Sequence, residues 1–149
     1  MREGDTSGFD RELAIKLKEL AGKSGDVFPT GSAYLGDSQG VANDFDYVVF
    51  APSSSNYYRV VDWLTWQGFQ RPDGYCDYGG VGDFCTFRRG DDNVILMKCI
   101  HQKVCWEKYN FVMLNLPPQD KFVRVLIAEV LRGNTTEEEY KDYGKTFWA

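Results

Sequence analysis

Residues 30–50, "TGSAYLGDSQGVANDFDYVVF", decide the fold of this chain because they place two charges at the start of an otherwise apolar strand. The run "DFDYVVFAP" is rich in β-branched and aromatic residues and is closed by Pro52, so it predicts a buried strand. Alternate side chains of a strand share a face. Asp44 and Asp46 are therefore predicted to point the same way, while Phe45 points oppositely into the core.

The paired aspartates and the turn before them indicate a site for a polyphosphate. Two carboxylates on one face repel each other unless a cation lies between them. Hard oxygen ligands at this spacing suit Mg²⁺ or Mn²⁺, which takes substrate phosphate oxygens as further ligands. Upstream, Gly31 permits a tight turn with close backbone approach, and Ser32 offers a hydroxyl and nearby N–H groups to a phosphate. Nucleotidyl transfer requires such a combination.

The remaining sequence predicts one α/β (α+β) domain with a small mixed sheet flanked by helices. The predicted order is helix, strand, strand, helix, strand, strand, helix, helix. The runs "DFCTFRR" and "DNVILMKCI" predict two strands joined by a hairpin at "RGDD". We assign residues 1–134 to this domain and residues 135–149 to an acidic C-terminal tail that could add a short helix.

The composition is that of an ordinary globular protein. The chain has 149 residues, of which 43% are hydrophobic and 26% are charged. No apolar stretch approaches the roughly 20 residues that span a bilayer, and the N-terminus lacks the apolar segment of a secretory signal. We therefore expect a cytoplasmic protein with no membrane partner. The net charge of −5 makes long nucleic acid a less favoured partner.

The cysteines and the single histidine carry little functional signal. No two cysteines form a C-x-x-C pair, so buried free thiols are the expectation, ahead of a zinc site or a disulfide framework. His101 is expected to have a structural or surface role. The four cysteines are Cys76, Cys85, Cys99 and Cys105.

The spaced motif resembles the hG[GS]…DhDh pattern of the nucleotidyltransferase superfamily that includes DNA polymerase β and kanamycin nucleotidyltransferase. Here it reads "GS" at 31–32, then residues 33–43, then "DFDY" at 44–47. The run "FCTFRRGDDNVILM" is also similar to small nucleotidyltransferase-like proteins encoded by tailed bacteriophages. The resemblance implies a polymerase β-like fold of minimal type, a nucleoside triphosphate substrate and Mg²⁺. For a phage-encoded protein it implies the host cytoplasm.

The resemblance also implies a third carboxylate on a neighbouring strand, which completes the metal site and can accept the proton of the attacking hydroxyl. At the matching place this sequence has Asn93, directly after Asp92. Either Asp92 acts from a shifted register or the Asn93 amide supplies the third ligand. An amide coordinates metal weakly and cannot act as a general base at neutral pH. The candidate catalytic residues are Asp44, Asp46, Asp92 and Asn93, with the three aspartates as metal ligands.

Basic residues near the second hairpin are candidates for binding the triphosphate. Alternation sends either Arg88 or Arg89 to the face of the predicted site, where a guanidinium could hold phosphate. Lys98 shares the even numbering of Asp92 and would face the site if Asp92 does. The candidate nucleotide-binding residues are Gly31, Ser32, Arg88 and Lys98.

Lys121 and Arg124, about one helical turn apart on the last long helix, offer a second phosphate-binding possibility. A helix flank facing solvent is the expectation for them.

These observations favour an Mg²⁺-dependent nucleotidyltransferase that moves a nucleoside monophosphate from a nucleoside triphosphate to an acceptor hydroxyl and releases pyrophosphate. The acceptor stays open between a protein, an RNA end and a small molecule. The alternative is a catalytically inactive nucleotide- or protein-binding module on the same scaffold, such as a phage protein acting on a host factor. A third hypothesis is a small interaction protein in which the motif is accidental.

Overall fold

A computed structural model describes residues 1–41, 44–71 and 84–134 of the chain. These residues form, in chain order, α1 (Arg11–Ala21), β1 (Asp26–Thr30), α2 (Gly31–Leu35), β2 (Phe45–Phe50), α3 (Ser54–Trp66), β3 (Phe84–Arg89), β4 (Asp92–Met97), α4 (Ile100–Leu114) and α5 (Lys121–Asn134).

The predicted class, a small mixed sheet flanked by helices, is confirmed. The predicted order is also confirmed, with one addition: a single helical turn, α2, begins at the Gly-Ser motif. The tail at 135–149, with its predicted short helix, lies outside the described residues. None of the described helices is long and apolar enough to cross a membrane.

The sheet has four strands within the described ranges, in the order β1-β2-β4-β3. β1 and β2 are antiparallel, and β3 and β4 form the predicted antiparallel hairpin through Gly90 and Asp91. β2 and β4 are parallel, and their register pairs Asp46 with Asn93. The start of β4 therefore lies beside the two aspartates that the sequence singled out.

The two sheet faces have different neighbours because side chains alternate along each strand. One face meets α1 and α3 in the larger core cluster, in which Tyr47 and Val94 are fully buried beside Leu17 and Leu64. The opposite face carries a smaller cluster packed against Trp106 of α4, made of Phe28, Val48, Phe50, Phe84, Ile95 and Met97. Asp46 and Asn93 belong to this second face.

The side chain of Asn110 on α4 fixes the junction between β1 and α2. Its amide donates to the carbonyl of Pro29 at 2.8 Å, and its carbonyl oxygen accepts from the hydroxyl of Thr30 at 2.7 Å. Both groups sit at the last residues of β1, so Asn110 holds the strand end from which the Gly-Ser turn departs.

The prediction of buried free thiols is correct for Cys105 and only half correct for Cys99. Cys99 and Cys105 are free thiols, the first exposed and the second buried. Cys85 is disulfide-bonded, so the expectation of free thiols is wrong for it. Cys76 lies outside the described residues.

Candidate functional site

A cavity of about 470 Å³ lies at the end of the sheet where β2 and β4 begin. Its wall is formed by the first turn of α2, the second sheet face and the helices α4 and α5. Six of the predicted site residues line it: Gly31, Ser32, Asp44, Asp46, Arg88 and Asn93. The fold thus brings these six residues, which come from distant parts of the sequence, to one cavity.

Asp46 is held tightly on both sides of its carboxylate. Oδ1 accepts a hydrogen bond from Nδ2 of Asn93 at 2.8 Å. Oδ2 lies against Gly31, whose φ of +77° favours glycine, and a Cβ at position 31 would overlap that oxygen. The glycine of the motif is therefore required by the Asp46 carboxylate as well as by the turn.

Burial raises the pKa of Asp46 above the ordinary aspartate value, because a charged carboxylate loses hydration in this position. The hydrogen bond from Asn93 opposes the rise, and the nearby negative charge of Asp44 adds to it. Ionisation of Asp46 is therefore less favourable here than in water.

Asp44 makes a two-pronged ion pair with Arg88. Nη1 and Nη2 of Arg88 lie 2.9 Å and 3.1 Å from Oδ1 and Oδ2 of Asp44. The pair sits at the cavity mouth, with 43% of the arginine side chain and 37% of the aspartate side chain exposed. Alternation on β3 therefore selects Arg88, and not Arg89, for this face.

Ser32 occupies the first turn of α2, where backbone N–H groups have no partner inside the helix. Its side chain lines the cavity next to that of Thr30. The hydroxyl and the N–H groups of this turn are the neutral donors that the site offers to an anion.

Asp92 and Lys98 do not join this group. In the parallel register Asp92 lies beside Phe45, on the sheet face opposite the cavity, where it shares a hydrogen bond with Tyr47. Burial raises the pKa of Asp92 there. Lys98 contacts the Ser54 hydroxyl at 2.9 Å at the start of α3. The shifted register that would bring Asp92 to the cavity does not occur, because the β2–β4 pairing places Asn93 beside Asp46.

Arg124 corrects the expectation of a solvent-facing flank on α5. Its side chain is buried and lines the cavity, and Nη1 lies 2.7 Å from both Oδ2 of Asp37 and the carbonyl of Gln119. The hydrogen bond from Arg124 lowers the pKa of Asp37. The physical reason is that Asp37 lies beside this helix and pairs with Arg124, whereas Lys121 on the same helix is exposed as expected.

Part of the cavity wall was missed at the sequence level. Arg132 lines it from α5, and Trp106 and Tyr109 line it from α4. Lys121, which the sequence offered as a phosphate-binding possibility, also lines the cavity but is exposed. The spacing of Lys121, Arg124 and Arg132 places all three near one side of a helix, which is a readable signal. The sequence did not show that this side faces the cavity while Ile127, Ala128 and Leu131 of the same helix pack against the core.

The carboxylates of Asp44 and Asp46, with the amide of Asn93, are the groups that could hold a divalent cation. Over the described ranges, no cluster of three or more His, Cys, Asp or Glu side chains is arranged to bind a metal. The donor set nevertheless suits a hard cation that completes its shell with water and phosphate oxygens. The carboxylates of Asp44 and Asp46 and the hydroxyl of Ser32, all at one cavity, fit the binding of a hard cation together with phosphate.

Comparisons with known proteins give no family assignment. No family model matches the chain, and no curated protein matches it. Among solved structures, a cytoplasmic RNA terminal U-transferase is similar with a TM-score of 0.37 and 13% sequence identity. The match covers 80% of this chain and 36% of that one, so the chain spans about a third of that protein's length. At this TM-score the likeness identifies no activity.

Proposed function

We propose that the cavity binds a nucleoside triphosphate with a divalent cation, Mg²⁺ or Mn²⁺, and transfers the nucleoside monophosphate to an acceptor hydroxyl. One observation carries the proposal: Asp44, Asp46 and Ser32 line the same cavity, on the framework of a small mixed sheet. The raised pKa of Asp46 supports it, because a cation between the carboxylates relieves the cost of ionising that buried group.

Each residue has a role that follows from its place. Asp44 and Asp46 hold the cation, and the Asn93 amide fixes the orientation of Asp46. Ser32 and the N–H groups of the α2 turn bind phosphate oxygens. The cation would supply neutralisation of the charge that develops on the α-phosphate and on the leaving pyrophosphate.

The reaction forms a bond between the acceptor oxygen and the α-phosphorus and breaks the bond from that phosphorus to the bridging oxygen. Pyrophosphate leaves with the bridging oxygen. Asn93 cannot accept the proton of the acceptor hydroxyl at neutral pH, so that proton passes to solvent. We therefore expect slow turnover compared with an enzyme that has a carboxylate at this position.

The basic wall of α5 gives the site a charge suited to a polyphosphate. Lys121, Arg124 and Arg132 face the same cavity as Arg88. The acceptor could be a protein, an RNA end or a small molecule. The net charge of −5 disfavours long nucleic acid in that role.

A second candidate function is nucleotide binding without turnover. Asn93 favours it, because an amide stands where a carboxylate would complete the metal site and accept a proton. The ion pair between Arg88 and Asp44, which occupies both oxygens of a metal-binding carboxylate, points the same way.

The test of the proposal incubates the protein with cell lysate, Mg²⁺ and each labelled nucleoside triphosphate, and measures pyrophosphate release and labelled products by mass spectrometry. Release and labelling that are lost in Asp44→Ala support transfer. Calorimetric binding of a triphosphate without release supports the second candidate. Absence of both binding and release contradicts both functions.

A further inference from the structure

Arg88 hydrogen-bonds to both oxygens of the Asp44 carboxylate. Each of its terminal nitrogens bonds a different carboxylate oxygen, at 2.9 Å and 3.1 Å. A metal ion that binds Asp44 therefore competes with Arg88 for the negative charge of this carboxylate. Arg88 thus competes with a metal cation for the carboxylate of Asp44.

The partners of the two aspartates differ in charge. Asp46 accepts a hydrogen bond from a neutral group, the Asn93 amide, and its other oxygen lies against Gly31. Asp44 is held by a cation, the guanidinium of Arg88 on β3. An exposed ion pair of this kind contributes little to stability, so Asp44 can exchange Arg88 for another cation at a small cost in free energy. Of the two aspartates, Asp44 is therefore the one whose partner is positively charged, and an arriving metal ion would repel that partner.

Charge around the site changes sign when the exchange takes place. Asp44, Asp46 and Arg88 together carry a formal charge of about −1, and a divalent ion brings this to about +1. Arg88 lines the cavity, so a guanidinium released from Asp44 would stay near a ligand bound there. A polyphosphate anion is then attracted both to the metal and to the released arginine, whose planar fork suits phosphate oxygens.

We propose that Arg88 masks Asp44 until the metal-bearing nucleotide enters, and then moves from the carboxylate to the polyphosphate. This inference rests on the proposed function and adds a positioning role for one residue within it. It requires two effects of opposite sign in an Arg88→Ala variant: tighter binding of a divalent cation alone, and weaker binding of the nucleotide.

Arg89 offers a matched control. It is the next residue on the same strand and is also exposed, but it donates to the carbonyl of Gln67 at 2.8 Å and lies 4.5 Å from the centre of the Phe69 ring. Arg89→Ala removes the same charge from the protein without touching Asp44. If Arg88 only joins β3 to the start of β2 through Asp44, the Arg88→Ala variant should bind both the cation and the nucleotide more weakly.

The experiment titrates Mn²⁺ into wild type, Arg88→Ala and Arg89→Ala and follows free Mn²⁺ by electron paramagnetic resonance. Calorimetry then measures binding of a nucleoside triphosphate at saturating Mg²⁺. We expect Arg88→Ala to bind Mn²⁺ about threefold or more tightly than wild type, as for loss of an exposed ion pair. We expect it to bind the triphosphate about tenfold more weakly, as for loss of a charged hydrogen bond. Arg89→Ala should match wild type in both.

Outcomes separate this inference from the proposed function. If wild type binds Mn²⁺ and triphosphate but Arg88→Ala binds Mn²⁺ no more tightly, the masking role is wrong and the proposed function stands. Nucleotide affinity unchanged by Arg88→Ala overturns the transfer of Arg88 to the polyphosphate. If neither wild type nor Arg88→Ala binds Mn²⁺ with or without triphosphate, the inference and the proposed function fall together.

Discussion

The side-chain amide of Asn93 donates to Oδ1 of Asp46 at 2.8 Å across the parallel pairing of β4 with β2. This contact places an uncharged group where a third carboxylate would face the same cavity. It keeps Asp46 oriented while adding no further negative charge beside Asp44. The contact therefore orients Asp46 through a neutral group.

Replacing Asn93 by Asp should restore a third carboxylate at the cost of stability. Without a divalent cation the variant loses a donor to Asp46 and gains a repelling charge, so we expect a loss of about 1–3 kcal/mol in unfolding free energy. Mg²⁺ should recover most of that loss. Chemical denaturation with and without Mg²⁺ measures both effects.

The same variant tests whether the amide limits turnover. If transfer occurs, Asn93→Asp in Mg²⁺ should raise the rate of pyrophosphate release by about tenfold or more, because a positioned base contributes at least that much. Asn93→Ala serves as the control, since it removes the amide without adding a base. A stability of Asn93→Asp that does not respond to divalent cations would contradict the placement of a metal here.

Asp44→Ala should abolish cation-dependent nucleotide binding while the fold survives. Asp44 is partly exposed and its ion pair with Arg88 is open to water, so we expect a stability change within about 1 kcal/mol. Circular dichroism checks the fold, and calorimetry checks the binding. Wild-type affinity in this variant would remove Asp44 from the ligand set.

Gly31→Ala should disrupt the site through the Asp46 carboxylate. An added Cβ would overlap Oδ2 and lie 2.9 Å from Cγ of Asp46, at a backbone φ of +77°. Gly40→Ala is a matched control, because its φ is +73° and a Cβ there meets nothing within 4 Å. We expect Gly31→Ala to lose at least about 1 kcal/mol more than the control in denaturant titration. Equal losses would mean that position 31 is under backbone strain alone.

Asp46→Asn should stabilise the cation-free protein near neutral pH. The raised pKa of Asp46 means that the folded state favours the protonated carboxyl, so stability is fully present below the ordinary value of 3.8 and is lost as pH rises through the raised pKa. The isosteric amide removes that loss and still accepts the bond from Asn93. The stabilising effect of the Asp46→Asn substitution should therefore disappear below pH 3.8.

Thermal unfolding of wild type and Asp46→Asn, without divalent cations and across this pH range, measures the difference. With Mg²⁺ present the order should reverse at neutral pH, since only the wild type can bind the ion through this carboxylate. An Asp46→Asn variant that is less stable than wild type at neutral pH without cations would contradict the account of Asp46.

The sequence predicted the framework because its strongest patterns are local. The β-branched run after Asp46 and the hairpin at Gly90 fix three strands, and alternation alone brings Asp44 and Asp46 to one face. The partner of Asp46 depends on the register between β2 and β4, which no local pattern states. That register determines that Asn93, and not Asp92, lies beside Asp46.

The helix α5 shows a second limit of sequence reasoning. Its apolar residues predict an inward face, yet Phe122 is exposed and Arg124 is buried against Asp37. A buried ion pair depends on a partner 87 residues away in the chain. Periodicity cannot reveal such a partner, so the basic side of the cavity emerged only with the tertiary structure.

The most direct measurement of the central claim is calorimetric titration of the wild-type protein with each nucleoside triphosphate, with Mg²⁺ and with a chelator in its place. We predict saturable binding of at least one triphosphate that requires the cation and disappears in both Asp44→Ala and Asp46→Ala. Heat-silent titrations for all four triphosphates in Mg²⁺, matched by unchanged thermal unfolding, would contradict the claim that this cavity holds a metal-bound nucleotide.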